Sequence, residues 1–80
     1  MNDDPITMAD RLTRYVHELI EFRRQKNTPK IEGRILMIKN VLNKLKLAYT
    51  VASFPPGIVE RIRYDKERAD LPGLLENYGF

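Results

Sequence analysis

Five prolines constrain the fold of this 80-residue chain more than any other feature. Proline has a fixed φ angle and no amide hydrogen, so it suits the first turn of a helix and disrupts the interior. Pro5 and Pro29 precede amphipathic segments, Pro55 and Pro56 precede another, and Pro72 follows it. This spacing predicts one domain, with three helices at about residues 6–25, 29–49 and 56–70 and a tail at 71–80.

Apolar residues recur every three or four positions in the three segments, which is the pattern of a helix with one buried face. We therefore predict the fold class as all-α: a small three-helix bundle-like domain with a short C-terminal extension. The centres of the apolar stripes should form its core, and they are Leu12, Val16, Leu19, Ile35, Ile38, Leu42, Leu45, Ile58 and Ile62.

Local signals mark the joints between these helices. Asn27 is expected to end the first helix in a left-handed conformation, and Thr28 to cap the second, with Pro29 as its first residue. Gly33 costs about 1 kcal/mol inside a helix, so a start nearer Arg34 is the alternative. Ser53 is a candidate cap for the third helix.

Residues four apart on a helix surface can pair. Five such pairs are expected, three of them on a third helix that should be solvated: Arg14/Glu18, Glu21/Gln25, Arg61/Asp65, Arg63/Glu67 and Lys66/Asp70.

The second helix has an additional apolar strip on the side away from its core face. Leu36 and Leu47 project there, where the other two helices cannot reach them, and such a helix usually contacts a further element. That element could be the tail at 74–80, a second copy of the chain or a partner protein. The predicted partner interface is Leu36 and Leu47, with Tyr78 and Phe80 of the tail. The leading interpretation is a small regulatory or adaptor protein that acts by protein–protein contact, with a homodimer as one form.

Positive charge is concentrated in the middle of the chain. The formal net charge is +3, and residues 21–50 hold eight of the 14 lysines and arginines but only two acids. The alternative interpretation is therefore a small basic nucleic-acid-binding protein, an accessory of transcription or replication, that contacts phosphates through residues 23–46. A helix-turn-helix is not expected, because the joint before the third helix is too long and that helix is neutral. The candidate phosphate contacts are Arg23, Arg24, Lys26, Lys30, Lys39 and Lys46.

Motifs that would indicate catalysis or cofactor binding are missing from the sequence. The chain has no cysteine, and His17 is its lone histidine, so a closed zinc site cannot form. Its glycines form no phosphate-binding loop, and Ser53 lacks a nucleophile-elbow setting. We expect no catalytic residue, metal, cofactor or small-molecule substrate.

The start of the chain has neither the basic residues nor the apolar stretch of a secretory signal. No apolar run approaches the roughly 18 residues of a membrane span. The expected location is the cytoplasm, without membrane association.

Overall fold

The computed structural model describes residues 4–48 and 54–69, and the side chains of all of these except residues 46–48. The described residues form three α-helices: α1 (Pro5–Arg24), α2 (Thr28–Ala48) and α3 (Ile58–Ala69). The three helices pack together as a small all-α bundle, which confirms the predicted fold class. Its predicted C-terminal extension lies outside the described residues.

α1 is the central helix and packs against both of the others. Glu18, late in α1, contacts Arg34, early in α2, so these two helices run antiparallel. Asp10 contacts Arg61, and Arg23 contacts the last residue of α3, so α3 runs parallel to α1. The domain therefore has two interfaces on α1, and they differ in chemistry.

Aliphatic side chains fill the centre of the bundle. Eight of the nine predicted core residues are buried, and the ninth, Ile35, is partly buried against them. Each large aliphatic side chain removed from water contributes roughly 1.5–3 kcal/mol to folding. Four further apolar residues complete the buried cluster, and they are Met8, Ala9, Val41 and Ala69.

Asp4 caps the start of α1. Its Oδ1 accepts a hydrogen bond from the Thr7 N–H at 2.6 Å, and Pro5 occupies the first turn. The hydrogen bonds from Thr7 favour the charged carboxylate, which holds the pKa of Asp4 below its ordinary value. The acid at this position thus fixes where the central helix begins.

The joint between α1 and α2 is a Schellman turn. The Lys26 N–H donates to the Arg23 carbonyl at 3.1 Å, and the Asn27 N–H to the Phe22 carbonyl at 3.0 Å. Lys26 takes the left-handed conformation, with φ 56°, so the prediction that Asn27 does so is wrong. Asn27 instead caps the start of α2, since its carbonyl accepts the first helical bond, from Ile31 at 3.0 Å. Thr28 is already the first residue of α2, so the prediction that Thr28 caps this helix and Pro29 begins it is wrong.

Two glycines affect the helix boundaries differently. α2 runs without a break through Gly33, so the alternative start near Arg34 is wrong. Gly57 has φ 87°, which is incompatible with a right-handed helix, and α3 therefore begins at Ile58 and not at Pro56. The Gly57 carbonyl accepts the first hydrogen bond of α3, from the Arg61 N–H at 3.0 Å. The predicted cap, Ser53, lies outside the described residues.

Candidate functional site

The interface between α1 and α3 contains a buried carboxylate. Asp65 is only 1% exposed, and its Oδ2 accepts a hydrogen bond from the Thr13 hydroxyl at 2.6 Å. Arg68 pairs with its other oxygen at 3.4 Å. Arg61 reaches across from α3, donating from Nε to the Thr13 oxygen at 3.1 Å and pairing with Asp10 at 2.7 Å. We call this set of contacts the polar network.

The polar network corrects two expectations about α3. The predicted Arg61/Asp65 pair is wrong, because Arg61 turns to Asp10 while Asp65 turns inwards to Thr13. α3 is accordingly more than a solvated helix, because three of its charged residues, Arg61, Asp65 and Arg68, contact side chains of α1. The sequence signal for this was present, since Ile58, Ile62, Asp65 and Ala69 follow one another at helical core spacing.

On the opposite side of α1, cations lie over aromatic rings. The Arg34 guanidinium lies 5.9 Å from the Tyr15 ring centre and 5.4 Å from that of Phe22. Arg14 lies 5.3 Å from Tyr15, and the Lys30 ammonium lies 5.3 Å from Phe22. Such contacts contribute roughly 0.5–1 kcal/mol when exposed. We call these five residues the cation–aromatic seam.

Glu18 is the acid beside this seam. It pairs with Arg34, Oε1 to Nε at 3.0 Å, across the α1–α2 interface. The predicted Arg14/Glu18 pair is therefore wrong, whereas Glu21 and Gln25 do pair, at 3.0 Å.

An open groove continues this side of the interface towards the end of α2. Tyr15 of α1 and Met37 and Val41 of α2 provide apolar lining. Arg11 and Lys44 are the two cations that line it, one from each helix, and neither has an ion pair within the described residues. Asn40 completes the lining. Sequence reasoning missed this groove, because it depends on how α1 and α2 are aligned.

The side of α2 that faces away from the core is uncharged along its centre. Leu36 is 60% exposed, and Asn40 and Asn43 follow it at spacings of four and three. We call these three residues the outer strip. Leu47 continues the spacing in the sequence, but its side chain lies outside those described. The exposed Glu32 precedes Leu36 by four residues, and the exposed Lys39 and Lys44 border the strip, one on each side.

The predicted phosphate contacts differ in exposure and in the contacts that they make within the domain. Arg23 donates from Nη1 to the Ala69 carbonyl and so closes the end of α3, and Arg24 pairs with Glu21 at 2.5 Å. Lys26, Lys30 and Lys39 are exposed. The Lys46 side chain lies outside the described residues, as do Tyr78 and Phe80 of the predicted partner interface. Around the joint, Arg24, Lys26 and Lys30 therefore remain exposed, whereas Arg23 is held at the end of α3.

His17 lies at the edge of the polar network. Its Nδ1 is 3.1 Å from Arg68 Nη2, so the histidine contacts a cation of α3. Residues 4–48 and 54–69 contain no group of three or more histidine, aspartate or glutamate side chains that could hold a metal ion.

None of the helices in the described part of the chain combines the length and the apolar character that a membrane crossing requires. Comparisons with protein families, with curated proteins and with solved structures found no match to this chain.

Proposed function

We propose that this protein is a non-enzymatic regulatory or adaptor module that acts by protein–protein contact through the exposed side of α2. The observation that supports this most is the outer strip. Leu36 keeps more than half of its surface exposed although α2 already buries a complete apolar face against α1. An uncharged strip at the spacing of helix–helix contacts is typical of a surface that receives another helix.

The charges beside the outer strip favour another protein over a parallel pair of two copies of the chain. Two parallel copies facing each other across the strip would place the cations that border it, Lys39 and Lys44, against like charges. Like charges at such positions oppose pairing and select a partner with acids. The homodimer remains an outcome that the experiment below can detect.

Nucleic-acid binding is the second candidate, and the concentration of positive charge around α2 favours it. The internal contacts of Arg23 and Arg24 count against it, because each would have to leave its partner to reach a phosphate. Protein contact is therefore the proposal with more support.

A photo-cross-linking experiment tests the proposal. A benzophenone amino acid replaces Leu36 in the full chain, and the matched control carries it at Ile6, an apolar residue of α1 that is 51% exposed. Irradiation in an extract of the source cells should give a discrete protein adduct from position 36 and none from position 6.

The mass of the adduct distinguishes the alternatives. An adduct of twice the chain mass would mean that the partner is a second copy of the chain. An adduct sensitive to nuclease would favour the second candidate. If positions 36 and 6 gave the same diffuse products, the outer strip would have no specific partner and the proposal would be wrong.

A further inference from the structure

We infer that the segment recognised by this protein is an acidic amphipathic helix, which places an apolar side chain in the α1–α2 groove and carboxylates against Arg11 and Lys44. This inference rests on the proposed function and adds the chemistry of the partner and the place where it binds.

The groove and the outer strip form one surface. Asn40 belongs to both, since it lines the groove and lies between Leu36 and Asn43 in the strip. A helix laid along α2 presents side chains three and four residues apart on one face. Such a helix can contact Leu36 with one side chain and enter the groove beside Met37 with another.

The charges that line the groove indicate the sign of the charge on the ligand. Its lining contains two cations and no acid. Glu18, the acid beside the seam, is already paired with Arg34. Arg11 and Lys44 thus border an apolar lining without a counter-charge among the described residues. An acid beside an apolar side chain is the complement of this arrangement.

The neighbouring aromatic rings argue against nucleobases as the ligand. Proteins that bind single strands stack bases on open aromatic faces. Here Arg14 and Arg34 lie over Tyr15, and Lys30 and Arg34 lie over Phe22, so a base that stacked on the same ring face would have to displace a cation.

Fluorescence anisotropy on the full chain tests the inference with three labelled probes. The first is an amidated peptide of about 18 residues, with leucine at helical i, i+3, i+4 and i+7 positions, glutamate beside them and alanine elsewhere. The second is its twin with lysine in place of glutamate, and the third is a single-stranded thymidine oligonucleotide. The acidic peptide should bind best, and its affinity should fall as salt screens the charges.

Variants of the groove residues test whether the acidic peptide binds there. Arg11→Gln with Lys44→Gln should weaken the acidic peptide about tenfold and flatten its salt dependence. Met37→Ala should weaken it without changing the salt dependence. The matched control, Lys26→Gln with Arg63→Gln, removes two exposed charges elsewhere and should bind as the wild type does. Urea titrations of each variant show whether it is folded.

Equal binding of the two peptides would overturn the inference, as would tighter binding of the oligonucleotide or an equal loss in the control variant. The absence of any peptide binding at low salt would also overturn it. A protein adduct from position 36 alongside any of these results would leave the proposed function standing and remove only the acidic helix.

Discussion

The two interfaces of α1 hold their helices by different means. α2 packs through a row of buried aliphatic residues, with the cation–aromatic seam along one edge. α3 packs through fewer apolar residues and through the polar network around the buried Asp65. Apolar burial is non-directional, whereas a hydrogen bond is satisfied only within a narrow range of distances and angles. The α1–α2 side should therefore supply most of the stability, and the α1–α3 side should define register.

This difference bears on function. The helix that is held by aliphatic packing is also the one with an exposed, uncharged outer strip. Three charged residues of α3, Arg61, Asp65 and Arg68, contact side chains of α1. The two sides of the bundle therefore suit different tasks: the polar side completes the domain, and the apolar side supports the binding surface.

The largest expected effect comes from the apolar interface. Ile38 is 1% exposed at the centre of α2, so Ile38→Ala should cost about 2–5 kcal/mol of unfolding free energy through lost burial and the cavity that remains. That is a large share of the stability of so short a chain. Urea unfolding followed by circular dichroism measures it.

Leu36→Ala is the matched control for Ile38→Ala, since it truncates an exposed residue of the same helix and should change stability by less than about 0.5 kcal/mol. Equal effects of the two substitutions would mean that the buried face of α2 is assigned incorrectly.

An intermediate effect is expected at the polar network. Asp65→Ala should cost about 1–3 kcal/mol, because Thr13 and Arg68 lose a buried acceptor. Thr13→Val should cost about 1 kcal/mol. Since the two side chains bond to each other, the double variant should lose about 1 kcal/mol less than the sum of the single losses.

The control for this comparison combines Thr13→Val with Glu60→Ala. Glu60 lies exposed on α3, so the two losses of unfolding free energy should add. If the losses from Thr13→Val and Asp65→Ala also added, the polar network would not couple α3 to α1.

Apolar periodicity predicted more of this fold than charge spacing did. The stripes of α1 and α2 identified the core, because burial at every third or fourth residue is a property of a single helix. The partners of Arg61 and Glu18 lie on other helices, Asp10 on α1 and Arg34 on α2, and depend on how the helices are aligned. Spacing within one helix could not identify them.

The candidate site divides in the same way. Leu36 was predictable, since its direction on α2 follows from the helical repeat alone. The groove was not, because Arg11 and Lys44 are far apart in the sequence and meet only when α2 runs antiparallel to α1. Asp65 is an intermediate case. Its position at core spacing could be read from the sequence, but an acid there predicts exposure to solvent. Its burial depends on the hydrogen bond from Thr13, which lies on another helix.

The smallest expected effect concerns both interfaces together, because Asp4 caps the helix that they share. The hydrogen bonds from Thr7 lower the pKa of Asp4, so the folded state releases its proton more readily than the unfolded state does. The resulting stabilisation is complete above the ordinary aspartate pKa of about 3.9 and is lost as the pH falls through the lower, folded value.

The variant Asp4→Asn keeps a good capping residue but removes this titration. Its melting temperature should therefore fall less steeply than that of the wild type between about pH 5 and about pH 3. Glu21, whose pKa is lowered by its bonds to Arg24 and Gln25, titrates in both proteins and does not affect the difference. Because α1 contacts both α2 and α3, the wild type at low pH should lose amide protection, measured relative to the intrinsic exchange rate at that pH, in α2 and α3 alike. A loss of protection in one of them alone would show that the cap serves a single interface and that α1 is not a common support.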